Sequence, residues 1–202
     1  MKRLCAALLT IFVLSLLARE ATAANAFDHC LLCHGASANG NYGIRAPKLS
    51  GMEDWYLARQ LENFASGARG TPAADDAGHE MGPVALRLRQ EGLIAEAVKF
   101  ISALDSRRPA ATVSGDVANG RKLYAACAAC HGTAGQGNAA LNSPALAARS
   151  DWYLATQLAN YKAGLRGSDE RDTYGAQMRS IAVTLPDAKA INDVVAYINT
   201  FK

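Results

Sequence analysis

Two copies of one all-α domain, joined in tandem, are what this 202-residue sequence predicts. Three observations carry the expectation. One unit is written twice at an offset of 97 residues. Apolar residues recur at helical spacing within each unit. Each unit also carries a Cys-x-x-Cys-His run, at Cys30 to His34 and at Cys127 to His131.

The offset holds far from the cysteines. It carries Gly35 to Gly132, Pro47 to Pro144, and Asp54-Trp55-Tyr56-Leu57 to Asp151-Trp152-Tyr153-Leu154. Gly67, Arg69 and Gly70 become Gly164, Arg166 and Gly167; Met81 becomes Met178; Phe100-Ile101 becomes Tyr197-Ile198. Two copies, each with its own cysteine motif, make a duplicated domain rather than a solenoid.

A Cys-x-x-Cys-His run reads as a c-type haem attachment site. Its two thiols add across the vinyl groups of one porphyrin, and the adjacent imidazole reaches the iron. Four thiols in two complete runs predict two covalently bound haem c groups. They are held by Cys30 and Cys33, and by Cys127 and Cys130, with His34 and His131 on the irons. A zinc module is the rival, but each run offers three ligands with no convincing fourth beyond methionine.

Half of the residues are apolar and the formal net charge is +3. That suffices for a packed core and gives no reason to expect a nucleic-acid partner. Residues 1–26 read as a signal peptide: Lys2 and Arg3, an apolar run from Leu4 to Ala18, then Ala21-Thr22-Ala23 or Ala24-Asn25-Ala26 for cleavage. An uncleaved anchor is the alternative, though the run is short for a bilayer. Cleavage removes Lys2, Arg3, Arg19 and Glu20, leaving 18 basic and 17 acidic residues, and places the mature chain in the periplasm. Cys5 lies inside the leader.

The expected domains are 27–106 and 114–202, with 107–113 as linker. In the first, Phe27 to His34 ends a helix carrying the cysteine motif, and the Gly-rich stretch 35–50 is loop. Glu53 to Ser66 is a helix, with Trp55, Leu57, Leu61 and Phe64 at helical spacing and Gly67 as its stop. Trp55 and Phe64 face core or porphyrin, and Arg69 meets either a haem propionate or water. Gly70 to Gly82 reads as an irregular acidic loop ending at Met81, with Asp75 and Asp76 solvated. Leu93 to Leu104 is the last helix, and 105–113 has little reason to pack. In the second copy, helices are expected at Gly115 to Ala129, Asp151 to Ala163 and Ile191 to Phe201. Between the latter two lies a loop, Gly167 to Gln177, ending at Met178. The first copy has no counterpart to most of the helix before Cys127 if cleavage falls at Ala23 or Ala26.

With these motifs the chain resembles the tandem dihaem class I cytochromes c of the cytochrome c4 type, over nearly the whole mature chain. The resemblance implies two tandem class I cytochrome c domains, each wrapped around one covalent haem. It implies that Pro47 accepts a hydrogen bond from the proximal histidine. It also implies that Gly120 lets the helix before Cys127 cross the terminal helix, with Tyr124 near Tyr197. A pseudo-twofold pair with haem propionate edges facing across the interface follows from it too. The short linker, and copies carrying nine basic with ten acidic residues (28–108) and nine with seven (116–202), fit a packed pair.

Met81 and Met178 are the expected sixth ligands, because they sit at equal distances past their motifs. A thioether raises the potential of haem iron. His79 is a rival whose counterpart is Ala176, and Met52 has Arg149 as its counterpart. Histidine and methionine on both irons leave no open position for substrate, and no nucleophile–base pair or catalytic carboxylate pair is evident. The expected role is single-electron transfer in a periplasmic respiratory chain. By resemblance, the donor is a quinol-oxidising complex or dehydrogenase and the acceptor a terminal oxidase, with membrane association through partners. The alternative is the cytochrome subunit of a periplasmic dehydrogenase complex; a small redox enzyme is a third, weaker possibility.

Overall fold

The computed structural model describes Phe27 and residues 29–202. The signal peptide, its cleavage and the shortened first helix all fall outside the described residues. Among the described residues no helix is long and apolar enough to cross a membrane. No strand occurs among them either, only the isolated antiparallel bridges Asn41–Ala46 and Asn138–Ser143.

The first half runs α1 (residues 29–34), α2 (Asp54–Ser66), α3 (Asp76–Gln90) and α4 (Ile94–Ser102). The second runs α5 (Val117–His131), α6 (Asp151–Ala163), α7 (Thr173–Ala182) and α8 (Ala188–Ile198). A single 3-10 turn precedes α2 and another precedes α6, at Tyr42–Ile44 and Ala139–Leu141. Helix α2 packs on α3 and α4; α6 packs on α7 and α8; α5 crosses α8. Glycines 67 and 164, at φ 75° and 74°, end α2 and α6 in the left-handed region that a Cβ disfavours.

The α5–α8 crossing needs a glycine. A Cβ on Gly120 would run into the carbonyl oxygen of Asp193. Tyr124 then meets Tyr197 and Phe201 edge-on, with ring centroids 5.5 and 5.1 Å away. These join Leu185, Ile191, Val194 and Ile198 in the second core. In the first half Phe27, the counterpart of Tyr124, stacks on Phe100 at 5.1 Å. The core there is divided among smaller clusters around Leu57, Phe64 and Leu88.

The expected loops before Met81 and Met178 are corrected: both methionines lie inside helices, α3 and α7. Asp75 and Asp172 cap them, accepting from the N–H of Gly78 at 3.3 Å and Gly175 at 3.0 Å, a contribution of about 1 kcal/mol each. The glycines that read as breakers are required here, since a Cβ on either would strike the capping carboxylate. Pro83, inside α3, lacks the N–H that would reach the His79 carbonyl. Asp75 is therefore buried rather than solvated, while Asp76 is exposed.

The stretch 105–113 stays largely exposed, as expected, but hydrogen bonds hold it at both ends. Asn39 Nδ2 donates to the Asp105 carbonyl at 2.9 Å, and Arg107 N–H donates back to Asn39 Oδ1 at 2.9 Å. Thr112 and Val113 donate their N–H groups to the buried carboxylate of Asp151 at 2.6 and 2.7 Å. Despite burial, which raises it, these bonds leave the Asp151 carboxyl below its ordinary range.

The two halves are docked rather than strung on a flexible tether. At one end Arg149 donates to the Gly51 carbonyl at 2.6 Å and pairs with Glu53 at 3.2 Å. Lys48, fully buried, donates to Ser106 Oγ at 2.9 Å and to the Ala148 carbonyl at 3.0 Å. Tyr42 meets Trp152 edge-on at 5.6 Å.

Candidate functional site

Each half holds one cavity. The first brings together Cys30, Cys33, His34 and Met81; the second brings together Cys127, Cys130, His131 and Met178. All eight expected residues are thus placed, four to a cavity.

The proximal histidines are oriented alike. His34 Nδ1 lies 2.6 Å from the Pro47 carbonyl, and His131 Nδ1 lies 2.7 Å from the Pro144 carbonyl. A proline carbonyl can only accept, so each Nδ1 carries the proton and each Nε2 is left with its lone pair. Burial holds both imidazoles below the usual histidine range, with the carbonyl bonds opposing it, which favours the neutral ring. In the second cavity His131 Nε2 faces Met178 Sδ at 3.4 Å. Both are soft or neutral lone-pair donors turned into the same cavity, and they would have to separate by about 1 Å to hold an iron between them, since metal–nitrogen and metal–sulfur bonds are about 2.0 and 2.3 Å long. Met81 lines the first cavity beside Phe64 and Ala85. His79 turns away to the Gly70 carbonyl at 3.3 Å, whereas Met52, packed among Leu57, Val98 and Ile101, also lines the first cavity.

Burial pushes the Cys30 thiol up and the Cys127 thiol up to about 11. Among the described residues no cluster of three or more His, Cys, Asp or Glu is arranged to hold a metal.

Sequence reasoning missed the wall between the cavities. Tyr56 and Gln60 of α2, and Tyr153 and Gln157 of α6, line both of them. Arg69 and Arg166 are buried there, at 5% and 3% exposure, which rules out the water-facing reading of Arg69. Gln60 Oε1 accepts from Arg69 at 2.8 Å and from Arg166 at 2.7 Å. Gln157 Oε1 accepts from the same two, at 3.0 and 2.7 Å. The tyrosine hydroxyls cross over: Tyr153 accepts from Arg69 at 2.8 Å and Tyr56 from Arg166 at 3.2 Å. The cluster obeys the 97-residue offset throughout, so it is pseudo-twofold. The signal available in the sequence was the repetition of Tyr, Gln and Arg at matching positions.

The cluster is cationic. Among the described residues no carboxylate pairs with Arg69 or Arg166, and the Nε of each is buried without a partner. Burial pushes the Tyr56 phenol up, yet Arg166, Arg69 and Arg59 outweigh it and bring it below the usual range. Unpaired buried guanidiniums on the walls of both cavities fit the carboxylates of a haem, which are anionic and bind arginine well. Trp55 and Trp152 serve this interface too: Trp55 packs under Arg59 at 4.9 Å, and Trp152 lines the first cavity, across from its own half.

Comparison with known proteins agrees. The cytochrome c family model matches residues 21–99 and 117–202. The thiosulfate dehydrogenase electron acceptor of Stutzerimonas stutzeri is 33% identical over 164 residues, covering 76% of this chain and 72% of that one. The structure of cytochrome c4 from Acidithiobacillus ferrooxidans aligns with a TM-score of 0.66 at 25% identity, over 85% of this chain and 97% of that one. Thiosulfate dehydrogenase from Marichromatium purpuratum aligns with a TM-score of 0.66 at 32% identity, over 86% of this chain but only 36% of that one. The family carries covalently bound haem c, and its cytochrome c4-like members are typically periplasmic. The duplicated helical halves and a family match over both of them make this protein a member of the cytochrome c family, an electron carrier built from two tandem class I domains.

Proposed function

We propose that this chain is the dihaem electron-acceptor subunit of a periplasmic dehydrogenase of the thiosulfate-oxidising type. Its domains span 27–106 and 114–202, joined by 107–113. In this reading Cys30 and Cys33, and Cys127 and Cys130, form the thioethers, with His34 and Met81, and His131 and Met178, as the axial pairs. A bound haem supplies a one-electron ferric–ferrous couple.

The chain's own residues do the rest. Pro47 and Pro144 fix each imidazole with Nε2 towards the cavity. Arg69 and Arg166 offer positive charge to propionates at the interface. Tyr56, Gln60, Tyr153 and Gln157 keep that boundary one side chain thick. The single observation that carries the reading is this shared wall: two His–Met cavities in contact suit an internal relay of electrons.

Similarity to two thiosulfate dehydrogenase proteins supports the dehydrogenase partner over a freely diffusing respiratory carrier, the role that similarity to cytochrome c4 supports. Purified holoprotein mixed with thiosulfate dehydrogenase should be reduced on adding thiosulfate, within the enzyme's turnover time. Reduction by a quinol-oxidising complex, with none by thiosulfate and its dehydrogenase, would return the chain to the respiratory role.

A further inference from the structure

Among the residues that each half lends to the opposite cavity, the pseudo-twofold relation breaks in charge at one pair. Each cavity is lined partly by the opposite half. On the first cavity that half contributes Thr156, and at the matching place on the second cavity α2 contributes Arg59. A neutral hydroxyl thus stands on one side where a guanidinium stands on the other.

Arg59 is held firmly. Its guanidinium lies 4.9 Å from the Trp55 ring centre and 4.4 Å from that of Tyr174. Nη1 donates to Asn142 Oδ1 at 3.2 Å and Nη2 to the Asn142 carbonyl at 3.0 Å. Asn142 precedes Pro144, the residue that orients His131, by two positions. The Nε of Arg59 is buried without a partner, and among the described residues no carboxylate pairs with it. Its charge is therefore neither neutralised nor free to swing away.

The other charges around the cavities point the same way. The second is lined by Arg59 and Arg166 against Asp172. The first is lined by Arg45 and Arg69 against Asp75, Asp76 and Glu80, with His29 beside them. A fixed positive charge near a redox centre favours its reduced form, and a partly buried charge is poorly screened by salt.

We propose that Arg59 belongs to the second haem site although the first domain supplies it, and that its charge raises the second haem's potential above the first's. Domain docking then sets the direction of the internal step: one electron leaves the ferrous first haem and reduces the ferric second haem, with no bond made or broken. The inference rests on the two-haem reading of the cavities.

The test is a redox titration of the holoprotein, with haem content measured alongside. Arg59→Thr, which copies the first cavity, should change the equilibrium constant between the haems by about tenfold. For one electron that is about 59 mV, as a fall in the second midpoint with the first unmoved. Arg59→Lys should keep most of the wild-type separation. Thr156→Arg should raise the first midpoint and narrow the gap, and it does not depend on removing any interface contact. Fewer than two haems per wild-type chain would overturn both this inference and the reading beneath it. Two haems with midpoints unmoved by Arg59→Thr and Thr156→Arg, or shifted together, would overturn the role of Arg59 alone.

Discussion

Gln157→Leu is the sharpest perturbation of the shared wall. One side-chain oxygen accepts from two buried guanidiniums, Arg69 at 3.0 Å and Arg166 at 2.7 Å. A hydrogen bond to a charged group contributes about 1.5–3 kcal/mol, so losing both costs about 3–6 kcal/mol. Leucine fills nearly the same space and recovers roughly 1–2 kcal/mol of apolar burial. The net loss is then about 2–4 kcal/mol, a large share of the 5–15 kcal/mol typical of a domain. With a urea slope of about 2 kcal/mol/M, the midpoint should fall by about 1–2 M. Since Arg69 belongs to the other half, hydrogen exchange should rise in α2 as well as in α6. A midpoint shift below about 0.5 M, or loosening confined to the second half, would refute the claim that this acceptor ties the halves together. Gln157→Glu, which retains an acceptor and adds a counter-charge, should not weaken the protein.

Three other outcomes follow. Met178→Ala should abolish the weak thioether-to-iron band of the second haem and lower its midpoint, by a shift on the order of 0.1 V within the roughly 0.8 V range that axial ligands span; an unchanged band and midpoint would count against Met178. Gly120→Val should lower stability by more than about 3 kcal/mol in a calorimetric melt, because the α5–α8 backbones meet there; a loss under about 1 kcal/mol would mean the crossing has slack. Lys48, pushed down to about 8 by burial and by the charges of Arg149 and Arg108, binds its proton less tightly when docked than when released. Docking should therefore strengthen as pH rises from about 8 towards the ordinary lysine value, and Lys48→Met should flatten that rise; equal slopes in both proteins would contradict it.

Much of the candidate site was legible because an attachment motif of this kind is short-range in sequence. The two Cys-x-x-Cys-His runs, Pro47 with Pro144, and Met81 with Met178 are all fixed by chain position, and the repeat cross-checks each of them. The Trp helices were legible for a similar reason: their apolar spacing and glycine stops are local. Helices α3 and α7 were not. Gly78 and Gly82 lie in a stretch that reads as loop, whereas Gly78 and Gly175 are small to admit the carboxylate that caps the helix. The hydrogen bonds that hold the two ends of 105–113 were hidden because their partners, Asn39 and Asp151, are far away in sequence. Arg69 was ambiguous for the same reason: its partner Tyr153 is donated by the other copy, and only docking brings four polar residues into one buried cluster.

The central claim is that both cavities carry a covalent haem with histidine and methionine on the iron. The intact mass of the mature protein, taken with its absorption spectrum, tests it most directly. The account predicts two haem additions that survive acid–acetone treatment, and thioether-to-iron absorption accounting for both irons. One addition, or haem released by acid–acetone, would contradict it.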